Sequence, residues 1–299
     1  MRSFKTVEIS CRDNLFISFL YNTAAGRLFL RLLVTATVSK TAGLFMNSRI
    51  SKVLIKSFIR RRNIDMSRYE DVGYSSFNDF FTRQVKPECR NFPDAANDLA
   101  TDDLAAACDG KLTAYTITSK SVFTIKGCLY DIGELLADKA LADEFKGGVC
   151  LVFRLTPDDY HRYSFIDDGE IESYKKINGV LHTVRPIASK RYDIYVQNYR
   201  ECTVMNTKRF GKLVQIEVGA LFVGRIRNLR RQQKDVFKCG QEKGMFEFGG
   251  STIVMLFQKG AVAIDDAIYE NTDQNKETVV KMGDIIGEKF SGQTERKFE

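Results

Sequence analysis

Only two histidines, His161 and His182, occur among 299 residues, so any step that needs an imidazole must use one of them. The seven cysteines (Cys11, Cys89, Cys108, Cys128, Cys150, Cys202 and Cys239) are scattered singly, their number is odd, and no C-x-x-C pair is present. That pattern argues against a disulfide framework or a metal site and for reduced thiols in a cytosolic compartment. No basic run is interleaved with aromatics, so nucleic acid is not an expected partner despite a net charge of +7. The start, Met1-Arg2-Ser3-Phe4-Lys5, lacks the apolar stretch and small-residue cleavage site of a signal peptide. The most apolar N-terminal stretch, residues 15–38, is interrupted by Asn22, Arg27 and Arg31 and falls short of a clean transmembrane span. There is no internal repeat and no long alternation of strand and helix, which makes a doubly wound sheet a poor expectation.

What is present is an ordinary globular composition, 44% hydrophobic and 28% charged, in a chain long enough to bury a real core. The expected class is α+β: an N-terminal helical region over residues 1–67, a connecting segment over 68–100, and a β-rich domain over 101–299; the resemblance given below makes the first membrane-associating and the last catalytic. In the first region Leu28, Leu32 and Leu33 share a helical face, and Val53, Leu54, Phe58 and Ile59 make a second apolar set. Arg27, Arg31, Lys40, Arg49, Lys52, Lys56, Arg60, Arg61 and Arg62 flank both sets. A helix lying in a membrane interface has this pattern, and so has a helix packed on its own core with a solvated basic face. Residues 77–83 read as a short helix capped by Ser75 or Ser76, to which no chemistry is assigned; Pro87 and Pro93 then keep the chain extended. Strands are expected at 112–117, 122–125, 149–155, 170–177, 213–218, 224–228 and 253–257, with one helix from 130 to 138 continuing toward 145.

Residues 248–252 read Phe248-Gly249-Gly250-Ser251-Thr252, between the apolar runs 245–248 and 253–257. The sequence predicts a buried β-hairpin here, with a Gly-Ser bond inside it. Gly250 can take backbone angles closed to other residues, which would let the Ser251 hydroxyl approach the Gly250 carbonyl. Attack would turn the amide into an ester; β-elimination would then leave dehydroalanine, which hydrolyses to a pyruvoyl group. By itself Gly-Gly-Ser-Thr is an ordinary turn sequence, and it gains meaning from its surroundings.

Those surroundings are Phe80-Phe81-Thr82-Arg83, Cys108-Asp109-Gly110-Lys111-Leu112, Asp159-Tyr160-His161-Arg162-Tyr163, the block from Leu181-His182-Thr183 to Arg185-Pro186-Ile187-Ala188, and Glu217-Val218-Gly219-Ala220. With Phe246-Glu247-Phe248-Gly249-Gly250-Ser251-Thr252 they closely resemble, in order and spacing, the bacterial phosphatidylserine decarboxylases, over residues 21–287. The resemblance implies a proenzyme that cleaves itself between Gly250 and Ser251 into a β chain (1–250) and an α chain (251–299) bearing a covalent pyruvoyl group. That group would take the amine of phosphatidylserine as a Schiff base and release CO₂, giving phosphatidylethanolamine. The implied location is the cytoplasmic face of the cell membrane, peripherally bound to an anionic surface, with a homodimer left open and no metal.

The family's pattern assigns Asp109 as the carboxylate for self-cleavage and His161 to decarboxylation. Its Y-H-R-x-H block departs here, because the second histidine is replaced by Ser164, and serine is no base near neutral pH. His182 is therefore the expected surrogate base, with Asp109 as its orienter; the alternatives are that His182 is a core or turn histidine and that His161, which the family pattern reserves for decarboxylation, is the base. Arg185 stands where many relatives carry asparagine, and Arg162, Arg185 and Arg200 are candidates to bind phosphate or carboxylate, although each taken singly fits a surface or structural arginine better. Two other readings stay open: a processing-deficient, non-catalytic phospholipid binder, and a soluble pyruvoyl-dependent amino-acid decarboxylase, which would not need residues 15–62.

Overall fold

The apolar run that follows Ser251 becomes the centre of the largest sheet. The computed structural model describes residues 2–8, 15–89, 92, 102–120, 122–125, 128–184, 186–189, 192–220, 225–249 and 251–292. Its strands in chain order are β1 (Thr6–Glu8), β2 (Asp103–Ala105), β3 (Gly110–Thr116), β4 (Val122–Ile125), β5 (Cys128–Asp131), β6 (Val149–Leu155), β7 (Arg162–Ser164), β8 (Gly169–Ile177), β9 (Arg200–Thr207), β10 (Gly211–Val218), β11 (Ile226–Asn228), β12 (Val236–Phe237), β13 (Glu242–Phe246), β14 (Ser251–Phe257), β15 (Val262–Ile264), β16 (Lys276–Val280) and β17 (Ile285–Lys289). Among the described residues the main sheet is nine-stranded, in the order β1-β16-β3-β6-β14-β10-β9-β8-β12. β14 lies between β6 and β10 and is buried along its whole length, as a run of β-branched and large apolar residues requires. Two three-stranded sheets, β11-β13-β7 and β15-β17-β2, and the β4-β5 hairpin accompany it.

The expected hairpin around the Gly-Ser bond is not formed. β13 pairs with β11 and β7, whereas β14 pairs with β6 and β10 in the main sheet, so the chain leaves one sheet after Phe246 and joins the other at Ser251. Gly249 takes φ +145°, a conformation open to glycine and strained for other residues. Gly250 lies outside the described residues.

The N-terminal tract is helical, as its pattern predicts, but in short pieces: α1 (Leu15–Asn22), α2 (Ala24–Leu33), α3 (Ala36–Met46) and α4 (Val53–Arg62). Leu20, Tyr21, Leu30 and Val34 are buried in the main core, and β1 adds an edge strand beside β16. Among the described residues no helix is long and apolar enough to cross a membrane. The short helix expected next is α5 (Phe77–Phe81), capped by Ser76 Oγ, which accepts from the Asp79 amide at 3.1 Å. It packs Phe77 against Phe58 of α4 and Phe77 and Phe81 against Phe248, which couples the helical region to the crossover. The helix expected from 130 is broken: Tyr130 and Asp131 end β5, α6 (Ile132–Leu136) stops at Ala137 with φ +47°, and α7 (Lys139–Asp143) restarts on Asp138, whose carboxylate caps the Leu141 amide at 3.0 Å. An aspartate that can cap a new turn competes with continuing the old one.

Candidate active site

Ser251 opens β14, opposite Leu155 of β6, and is fully buried; its hydroxyl has no hydrogen-bond partner. Pairing across β14 and β10 sets Ile253 opposite Glu217, and alternate residues of a strand share a face, so Ser251 faces the same side of the sheet as the Glu217 carboxylate. That side is covered by β11-β13-β7. Lys243 of β13, with no exposed side chain, donates to Glu217 Oε1 at 2.7 Å and to Asn228 Oδ1 at 2.9 Å. Asn228 Nδ2 in turn donates to both Glu217 and Glu201 at 2.9 Å. Burial pushes the Glu217 carboxyl upward, and the Lys243 charge opposes that shift.

His161 precedes β7, and its carbonyl accepts from the Phe246 amide at 2.9 Å, which aligns it with the strand leading into the crossover. Its Nδ1 lies 2.8 Å from the Asp159 carbonyl oxygen. A carbonyl only accepts, so Nδ1 carries the proton and Nε2 is a lone pair. Nε2 is buried and unpartnered. The ring packs on Phe81 at 4.1 Å, and Phe81 packs on Phe248 at 5.2 Å. Burial pulls the imidazole pKa down to about 4, so it is neutral at pH 7. Asp159 is itself fixed: Lys111 Nζ donates to its two oxygens at 2.9 and 2.7 Å, and the Thr156 amide and hydroxyl add two more bonds. Burial raises the Asp159 carboxyl, but Lys111 and these bonds outweigh it and leave it below its ordinary range.

The expected pairing of His182 with Asp109 is not formed. Asp109 accepts from Lys281 Nζ at 2.7 Å and from the Met282 amide at 2.9 Å. It does lie beside position 164, because Ser164 Oγ contacts Met282 Sδ at 3.4 Å and Cys108 bridges Tyr163. The carboxylate is thus close to where the family's second histidine would stand, with a lysine as its present partner. His182 stacks on Tyr192 with centroids 4.1 Å apart, and the Tyr21 hydroxyl is 3.3 Å from Nδ1. That hydroxyl accepts from the Thr183 amide at 3.0 Å, leaving its one hydrogen for Nδ1. Burial lowers the His182 pKa to about 4 as well. These contacts make His182 the joint between α1 and the 181–184 segment.

Of the arginines singled out by pattern, Arg162 is engaged with the Glu242 carboxylate at 2.7 Å and the Thr82 carbonyl at 2.8 Å. Arg200 donates to the Leu135, Glu134 and Asn198 carbonyls at 2.7, 2.8 and 3.1 Å. Arg185 lies outside the described residues. The arginine that sequence reasoning passed over is Arg83, buried with Nε and one terminal nitrogen unpartnered and its charge felt at His161. Its position in the Phe80-Phe81-Thr82-Arg83 block was the available signal.

The chain is similar to known proteins along most of its length. Residues 77–288 match the family model for phosphatidylserine decarboxylase. Phosphatidylserine decarboxylase proenzyme 2 of Clostridium acetobutylicum is 48% identical over 273 residues, covering 91% of each chain. The phosphatidylserine decarboxylase proenzyme of Clostridium perfringens is 40% identical over 279 residues, 92% of this chain and 93% of its own, and that of Ruminiclostridium cellulolyticum is 40% identical over 276 residues, 91% and 90%. The chain belongs to the phosphatidylserine decarboxylase family.

Proposed function

We propose that the chain is a self-cleaving proenzyme that decarboxylates phosphatidylserine to phosphatidylethanolamine, using a pyruvoyl group made from Ser251. The observation that carries this is the buried, unpartnered Ser251 hydroxyl heading the central strand, one residue after the glycine pair, in a chain of this family. Ser251 Oγ attacks the Gly250 carbonyl carbon, an ester C–O bond forms, and the amide C–N bond breaks. Loss of the Ser251 α-proton with cleavage of that ester leaves the Gly250 carboxylate and a dehydroalanine, whose hydrolysis releases ammonia. The residues around Ser251 fit such a group, since the orphaned polar position is already enclosed and needs no added volume. Once formed, the pyruvoyl group supplies the electron sink for the charge left as CO₂ departs.

The protein's part is to move and exclude protons. His161, neutral and with Nε2 free, is the base we assign to the Ser251 hydroxyl, and the same nitrogen is the donor to the substrate carbon. Phe81 and Phe248 keep water from the imidazole. Asp109 serves by holding Lys281 and the 282 backbone. After cleavage the two chains stay together through main-chain pairing, since β14 of the α chain bonds β6 and β10, and β16 and β17 bond β3 and β2, all of the β chain.

Membrane attachment at the cytoplasmic face belongs to the same reading. It is supported by apolar side chains turned outward on α1–α4, including Leu15 (91% exposed), Leu28 (68%), Leu44 (73%) and Val53 (75%), with Arg27, Arg31, Lys56 and Arg60 to Arg62 nearby in sequence. The inert lipid-binding reading keeps one observation in its favour, the pairing of Asp109 with Lys281 beside Ser164. Intact mass under denaturing conditions separates the two. Two fragments meeting at 250/251, the smaller starting with pyruvoyl in place of serine, are expected, and Ser251→Ala should give one chain. A parent chain that stays whole hands the site to the inert reading.

A further inference from the structure

Arg83 is 2% exposed, yet Nε and one terminal nitrogen of its guanidinium meet no acceptor. Its remaining contacts are a long hydrogen bond to the Tyr69 hydroxyl at 3.3 Å and the ring faces of Tyr69 and Phe80, 4.2 and 5.0 Å from the guanidinium carbon. Ring faces return only part of the hydration that a buried guanidinium gives up. Among the described residues no carboxylate is within ion-pair distance of it, and two acids of the surrounding segments are committed elsewhere, Asp79 to Ser75 and Asp159 to Lys111 and Thr156. A buried cation in this condition is half of a charge pair.

The location says which half is missing. Arg83 follows Phe81, whose ring lies on His161, by two residues, and Tyr69, under the guanidinium, packs on Tyr160 beside His161. Arg83 and His161 therefore lie against one connected set of aromatic rings, and the guanidinium charge is felt at the imidazole. We propose that Arg83 is the binding residue for the substrate's phosphodiester, donating from Nε and the free terminal nitrogen to two phosphate oxygens; this rests on the decarboxylase reading above. A guanidinium presents such a fork and an ammonium does not. The substrate carries a second anion, its carboxylate, but that group loses its charge on leaving as CO₂. An arginine on it would hold the ground state more tightly than the transition state and slow the reaction. The phosphodiester keeps its charge throughout, so binding it lowers KM and leaves kcat alone.

The test uses Arg83→Met, which keeps most of the side-chain volume over the rings and removes the charge, and Arg83→Lys, which keeps a charge and loses the fork. Short-chain phosphatidylserine is the substrate, and short-chain phosphatidylethanolamine, which has the phosphodiester and no carboxylate, is the inhibitor. Arg83→Met should raise KM about tenfold or more, with kcat within about threefold, and raise the inhibition constant by the same factor. It should melt no lower than the parent, because an unpaired buried charge is gone; Arg83→Lys should fall between. A raised KM with unchanged inhibition would move the arginine to the carboxylate and overturn the assignment. So would an unchanged KM with a lower melting temperature, the signature of a structural arginine, or a variant that no longer cleaves at 250/251. If the parent itself fails to decarboxylate phosphatidylserine, the functional reading falls separately. Calorimetric binding of the same phosphatidylethanolamine to parent and Arg83→Met then decides: loss in the variant supports the site and equal binding overturns it.

Discussion

The His161 Nδ1–H donates to the Asp159 carbonyl at 2.8 Å, and this one bond turns Nε2 into an unprotonated nitrogen inside an apolar wall. The folded pKa, about 4, lies below the ordinary histidine value of 6.5, so protonation favours the unfolded chain. Stability from this group is complete above pH 6.5 and is lost as pH falls toward 4. Between pH 7 and pH 5 the loss from His161 is about 2 kcal/mol. Urea unfolding at the two pH values in a Ser251→Ala background, where parent and variant both stay uncleaved, should record it, and His161→Gln there should remove about half of the pH 7 to pH 5 loss, because His182, also lowered to about 4, contributes a similar amount; an unchanged pH dependence in the variant would refute the buried neutral imidazole.

The two histidines should separate by phenotype. His161→Asn is expected to stop both self-cleavage and decarboxylation. His182→Ala is expected to cleave, but to lose roughly 1–3 kcal/mol, because it removes the Tyr192 stack and the Tyr21 contact that hold α1 to the 181–184 segment. Electrophoresis of freshly made protein reads the first effect and thermal unfolding the second. Uncleaved His182→Ala that is otherwise stable would restore His182 as the base.

Lys243→Met should cost about 3–5 kcal/mol, since it strands the Glu217 carboxylate in a fully buried position. The double variant Lys243→Met, Glu217→Gln should regain most of that loss. Denaturant midpoints of the two proteins check it, and equal midpoints would mean that the pair is not coupled.

Binding to anionic vesicles should weaken as salt rises, because the basic side chains of α2–α4 act through a screened field. Leu28→Ser combined with Leu44→Ser should weaken binding further while leaving cleavage intact, as both side chains face outward. Sedimentation with vesicles measures this. Equal binding to neutral and anionic vesicles at low salt would count against the headgroup attraction.

The sequence by itself determined the family, through blocks of fixed residue type that survive without knowledge of any contact. It also determined the class and the positions of seven of the seventeen described strands, because alternation and β-branched runs such as 253–257 are local signals. The Ser76 cap of α5 was equally local. Tertiary structure decided which sheet each strand joins: two apolar runs about the glycines look like a hairpin until β13 is seen to pair with β7 and β11, and such pairing depends on residues about 80 positions apart. It also decided what each charged side chain meets. Arg162 and Arg200 are candidates by pattern to bind an anion and are spent on internal acceptors, as structural arginines are, while Arg83 reads as part of a docking segment and is left without an acceptor at Nε and one terminal nitrogen. His182 and Asp109 suit each other chemically, but Tyr21 and Lys281, distant in sequence, reach them in the fold. Residue type records what a side chain can bond, and only the path of the backbone determines which partner comes within 3 Å of it.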